Sequence, residues 1–122
     1  MRNQAARLIR SFQFAFRGIG LMIRSERNAQ IHLVATLVVA IAGFTFGIGR
    51  GEWLAVILAI AGVWCAEGFN SAIEELSDVV SSQSHPGIGR TKDIAAGAVL
   101  IAAIAATLIA VLVFGPYILG SQ

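Results

Sequence analysis

The chain has 122 residues, 57% of them hydrophobic and only 13% charged, with a mean hydropathy of +0.77 and a net charge of +2. That composition excludes an ordinary soluble domain, which must solvate its surface, and makes the membrane the first reading, with no nucleic-acid partner expected. Cys65 is the single cysteine, so neither a disulfide framework nor a thiolate metal site is available, and it is expected to serve packing.

Residues 1–27 are expected to form an amphipathic surface helix. At 100° per residue Leu8, Phe12, Ala15, Phe16, Ile19, Met22 and Ile23 gather on one side and Arg7, Arg10, Arg17 and Arg24 almost opposite. Phe14 falls on the arginine face, an unusual place for a ring directed at lipid. Arginines spread through this segment argue against a cleavable signal peptide.

Three transmembrane helices are expected next, at about 29–48, 52–80 and 93–115, all within a single domain covering 1–122. Ile94 to Phe114 carries no charge over 21 residues, long enough to cross a hydrocarbon core. The middle span differs, because its fully apolar part, Trp53 to Ala66, covers 14 residues or roughly 21 Å of helix. The polar residues after Ala66 therefore sit at membrane depth or at its interface. In the third span Ala98, Ala102, Ala106 and Ala110 recur at steps of four, a ridge that lets helices approach closely and makes a homo-oligomer plausible without giving its number.

Basic residues set the expected orientation. Arg2, Arg7, Arg10, Arg17, Arg24 and Arg27 precede the first span, Arg90 and Lys92 lie between the second and third, and only Arg50 lies on the other side. The N-terminus and the 81–93 loop are thus expected in the cytoplasm.

The second span ends in EGFNSAIEELSD. On a helix Glu67, Asn70, Ser71, Glu74 and Asp78 fall within about 100° of arc, while Glu75 points elsewhere. Charge near the centre of a membrane helix costs about 2.5–3.5 kcal/mol, so the stripe must face protein, water or a bound cation. Carboxylates are hard oxygen ligands, and Glu74 with Glu26 could hold Mg²⁺ together with substrate phosphates. Glu67, at the apolar end, is best placed to take a proton from a hydroxyl arriving through the bilayer. Lys92, expected at a helix start, adds a cation for phosphate, joined by backbone N–H groups there. HPGIGRTKD lacks the spacing of a phosphate-binding nucleotide loop, and His32 and His85 are expected as packing or helix-end residues. Two rival readings stand: an acidic-lined cation channel or transporter, which uses the stripe, and a small non-catalytic membrane subunit, which needs only packing and has no use for Glu67.

The stretch EGFNSAIEELSDVVSSQSHPGIGRTKDIAAGAVLIAA resembles the signature of the bacterial diacylglycerol kinase and undecaprenol kinase family. The pattern E-x-x-N-[ST]-A-I-E falls on Glu67, Asn70, Ser71, Ala72, Ile73 and Glu74, followed by Asp78, His85, Lys92 and Asp93; upstream, SFQFAFRGIGLMIRSERNAQIHL resembles the family's N-terminal helix and Glu-containing turn. The resemblance implies an all-α homotrimeric bundle in the bacterial cytoplasmic membrane, with a surface helix and three spans per subunit. It also implies an enzyme that moves the γ-phosphate of ATP to a lipid hydroxyl. By the same resemblance Glu67 is the catalytic base, Glu26 and Glu74 hold Mg²⁺, and Asn70 and Lys92 contact phosphate. Arg7, Phe14, Gln83, Ser84, His85 and Asp93 fall on the nucleotide side. Phe14 stands where some members have Tyr, Gln83-Ser84 where some have Glu-Tyr, and His32 where the enterobacterial members carry an acid. The stretch ERNAQIHL is closer to the undecaprenol kinase branch.

Overall fold

A computed structural model describes residues 3–81 and 83–120. Met1 and Arg2 of the expected surface helix and Ser82 of the signature stretch lie outside the described residues. The described residues form four helices: α1 Gln4–Ser25, α2 Arg27–Phe46, α3 Arg50–Val80 and α4 Pro86–Leu119.

α1 starts where the Asn3 side chain accepts from the Ala6 amide at 2.8 Å, satisfying one of the free N–H groups of the first turn. At its other end Glu26 adopts extended backbone and turns the chain at once into α2. Gln30 Nε2 donates back to the Ile23 carbonyl at 3.1 Å, so the corner is tied through a carbonyl that the helix leaves open. No residue of α1 is buried.

α2, α3 and α4 are each long and apolar enough to cross a membrane. The corner between α2 and α3 uses Gly47 at φ +63°, a left-handed conformation that costs a side chain roughly 1–2 kcal/mol. Gly43, one turn earlier, lies under the Trp53 indole; a Cβ there would come within 2.6 Å of the ring. Trp53 in turn packs on Phe44 with centroids 4.9 Å apart.

The core gathers at this corner, where Ile48, Val56, Val113 and Phe114 are buried with Trp53, Ile60 and Ala110 packed around them. Hydrocarbon outside the helices is as apolar as these side chains, so close packing rather than water exclusion holds them. α4 lies chiefly along α3. Ala106 and Ala110 of the small-residue ridge face the groove between α2, α3 and α4 within the one chain.

Two expectations change. α4 begins at Pro86, not near 93, because His85 Nδ1 accepts from the Gly87 amide at 3.0 Å and Pro86 is pre-set for the first helical position. Lys92 and Asp93 therefore lie in the second turn, away from the open N–H groups expected to join Lys92 in holding phosphate. Cys65, expected to pack, is exposed on α3.

Candidate active site

Glu67 is 1% exposed, the most completely buried large side chain of the described residues, at the point where the apolar run of α3 ends. A carboxylate so buried needs a charge or hydrogen-bonding partner to offset its lost hydration. The nearest is His32 of α2, whose Nε2 lies 3.4 Å from Glu67 Oε1. The contact is too poorly aligned to count as a hydrogen bond, and Oε1 has no hydrogen-bond donor among the described residues. Ser71 Oγ stands 3.5 Å from Oε2, at the limit of a hydrogen bond.

His32 is itself held. Thr36 Oγ1 donates to the His32 carbonyl at 2.7 Å and accepts from Trp64 Nε1 at 2.9 Å. The Trp64 indole meets the imidazole edge-on, with ring centroids 6.3 Å apart. His32, Thr36 and Val63 also line a cavity of about 170 Å³ that runs between α2, α3 and α4 among apolar side chains. Its walls suit hydrocarbon, and His32 both lines it and reaches Glu67.

Further along α3 the stripe reaches α4. Lys92 Nζ donates to Asp78 Oδ1 at 2.8 Å and lies 3.8 Å from Glu74 Oε1. Asn70 is buried and its Oδ1 has no donor among the described residues. Ser77 is buried too. Glu67, Asn70, Glu74 and Ser77, spaced three and four apart, follow one line down the helix.

Glu26 stands at the α1–α2 corner and lines a second cavity, of about 360 Å³, with Phe14, Ser71 and Glu75. The Arg17 guanidinium carbon lies 5.6 Å from the centre of the Phe14 ring, a cation–π distance that accounts for a ring on the arginine face. The two carboxylates assigned to Mg²⁺ thus open in different directions, Glu26 toward α1 and Glu74 toward Lys92. No three His, Cys, Asp or Glu side chains converge among the described residues. The donor set still suits Mg²⁺, which is usually held by one or two carboxylates with phosphate oxygens and water supplying the rest. The Glu74 side chain is 47% exposed, and with only a 3.8 Å approach from Lys92 it can still supply such an oxygen.

The remaining sequence-assigned residues lie at the same end of α3 and α4 or along α1. Gln83 and Ser84 are exposed in the α3–α4 connection, where the Gln83 amide donates to Ser81 Oγ at 3.2 Å. His85 caps α4, and Asp93 is exposed beside Lys92. Arg7 is exposed on α1, its carbonyl accepting from Ser11 Oγ at 3.1 Å. Pattern reading did not anticipate the pairing of His32 with Glu67 or the burial of Ser77. Extending the line from Glu67 through Asn70 and Glu74 by one step reaches Ser77; nothing in the sequence alone reaches across to His32.

Three candidate spans with a buried carboxylate beside an apolar cavity define a small helical membrane protein whose polar chemistry sits at one end of the bundle. A family model described as prokaryotic diacylglycerol kinase matches residues 13–114. The chain is 39% identical over 115 residues to the undecaprenol kinase of Bacillus subtilis (strain 168), with 94% of each chain covered. It is 34% identical over 106 residues to the diacylglycerol kinase of Synechocystis sp., covering 86% of this chain and 61% of that one. The chain belongs to the prokaryotic diacylglycerol kinase family.

Proposed function

We propose that this protein is an ATP-dependent lipid kinase that transfers the γ-phosphate of ATP to the hydroxyl of undecaprenol or diacylglycerol at the cytoplasmic face of a bacterial inner membrane, working as a homotrimer with α1 lying on the membrane surface. The observation that carries the reading is Glu67, a buried carboxylate with no close hydrogen-bond donor on either oxygen, placed where the apolar part of α3 ends. A lipid alcohol is a substrate whose reacting group must meet its base at that boundary. The alternating apolar and arginine faces of α1 support the surface position.

In the transfer, the lipid oxygen forms a bond to the γ-phosphorus while the bond from that phosphorus to the bridging oxygen breaks, and ADP leaves with the electron pair. Glu67 takes the hydroxyl proton. Asn70 and Lys92 contact phosphate oxygens, and Arg7, Phe14, Gln83, Ser84, His85 and Asp93 face the nucleotide. Glu26 and Glu74 would hold Mg²⁺, which when bound neutralises charge on the phosphates.

Purified protein given labelled ATP, Mg²⁺ and either lipid tests the reading. Label is expected in both products, with undecaprenol at least matching diacylglycerol in kcat/KM, because ERNAQIHL lies nearer the undecaprenol kinase branch. A preference for diacylglycerol above about tenfold, or roughly 1.4 kcal/mol in transition-state binding, removes the polyprenol assignment and leaves the kinase. Cation flux through liposomes without ATP, and no labelled lipid, replaces the kinase with the transporter.

A further inference from the structure

We infer that His32 is a positioning residue for Glu67, donating from Nε2 to Oε1 so that Oε2 is the oxygen left to receive the acceptor hydroxyl; the inference rests on the kinase reading above. Among the described residues, His32 is the one basic side chain within 4.0 Å of the Glu67 carboxylate. Ser71 reaches only the other oxygen, and at 3.5 Å. Without His32, Oε1 would be buried with nothing to fix its direction, and a carboxylate free to rotate presents its proton-accepting lone pair to the hydroxyl only part of the time.

The imidazole has one aromatic brace. The Trp64 ring meets it in a T-shaped contact, and Trp64 Nε1 in turn donates to Thr36 Oγ1, one turn along α2 from His32. Trp64 precedes Glu67 by three residues on α3, so the helix that carries the base also carries the brace for its partner. At 3.4 Å and poorly aligned the contact is not yet a hydrogen bond; the donation is expected to form when substrate arrives, as catalytic hydrogen bonds often tighten only then.

The test uses the full chain in lipid–detergent micelles with ATP, Mg²⁺ and undecaprenol, comparing His32→Leu, His32→Asn and His32→Gln. Gln carries an amide donor at about the reach of Nε2, Asn carries the same donor too short to reach, and Leu has none. His32→Leu and His32→Asn are expected to lose at least about tenfold in kcat with KM for ATP and lipid within about twofold, whereas His32→Gln returns to within about threefold of the parent. Parental kcat in His32→Asn overturns the inference, as does a loss confined to the lipid KM, or a His32→Gln as slow as His32→Asn. Thermal unfolding of each variant identifies one that fails to fold; should His32→Leu do so, the contrast between Asn and Gln decides. Failure of the kinase reading is distinct: the parent then labels no lipid, or Glu67→Gln keeps full turnover, whatever the His32 variants do.

Discussion

Tyr117 donates its hydroxyl to Glu52 Oε1 at 2.7 Å, tying the last turns of α4 to the first turn of α3 at the end of the bundle away from Glu67. The same oxygen accepts from the Gly49 amide at 2.8 Å, so one carboxylate holds both the α2–α3 corner and the end of α4. Tyr117→Phe keeps the ring packed near Phe46 and removes only the hydroxyl. Its thermal unfolding midpoint is expected to fall while kcat and KM stay at parental values, since the contact is remote from the candidate site. A loss of turnover with an unchanged midpoint would contradict that separation.

Glu67→Gln keeps size and polarity but cannot take a proton. Turnover is expected to drop by at least about 10²-fold, with binding of a non-hydrolysable ATP analogue retained. Steady-state kinetics beside a binding isotherm separate the two effects, and near-parental turnover takes Glu67 out of the chemistry.

The carboxylates proposed to hold Mg²⁺ differ by direction. Glu26→Ala and Glu74→Ala are expected to raise the Mg²⁺ concentration needed for half-maximal activity or to abolish activity, because loss of one hard ligand leaves phosphate charge poorly neutralised. Glu75 shares the cavity of Glu26 and not the side of Glu74. A Mg²⁺ titration of Glu75→Ala therefore decides between the two faces of α3: a parental curve supports Glu74, and a shift matching that of Glu26→Ala with a parental Glu74→Ala moves the ligand to Glu75.

Gly43→Ala puts a methyl against the Trp53 ring, where 2.6 Å is far inside van der Waals contact. The indole must move off Phe44, and overpacking of this kind costs about 1–3 kcal/mol. A lowered unfolding midpoint in detergent is expected; Gly62→Ala, inside α3 with nothing within 4 Å of the added methyl, is expected to leave it unchanged or raise it slightly, since alanine favours a helix over glycine.

Much of this was legible in the sequence because membrane helices announce themselves by composition. The apolar runs around Ile31, Trp53 and Ile94 each fall within one helix, and the end of the second run marks where polar groups begin. The start of α4 was less legible, since the glycines of PGIGR argue for a loop, and only the local cap from His85 and the fixed φ of Pro86 carry the helix back to that point. Glu67 stood out as a carboxylate adjoining hydrocarbon. Its contact with His32 did not, because helical periodicity relates residues along one rod and says nothing of which face of α2 meets α3. The angle of Glu75 on α3 is legible in the same way, but the α1 residues that share its cavity are not.

α3 runs unbroken for 31 residues, and Glu67 lies thirteen residues before its end at Val80, whereas His32 lies five residues after the start of α2. At 1.5 Å per residue α3 continues roughly 12 Å past the level at which α2 begins. The rod therefore behaves as a fixed gauge rather than a hinge. A bilayer that thins or thickens can tilt or sink it only as one piece, carrying Glu67 and the carboxylates that meet Lys92 together relative to the headgroups. Chain length in the surrounding phospholipids thus becomes a control on catalysis: turnover measured across vesicles of increasing acyl length is expected to peak at one thickness and fall on both sides.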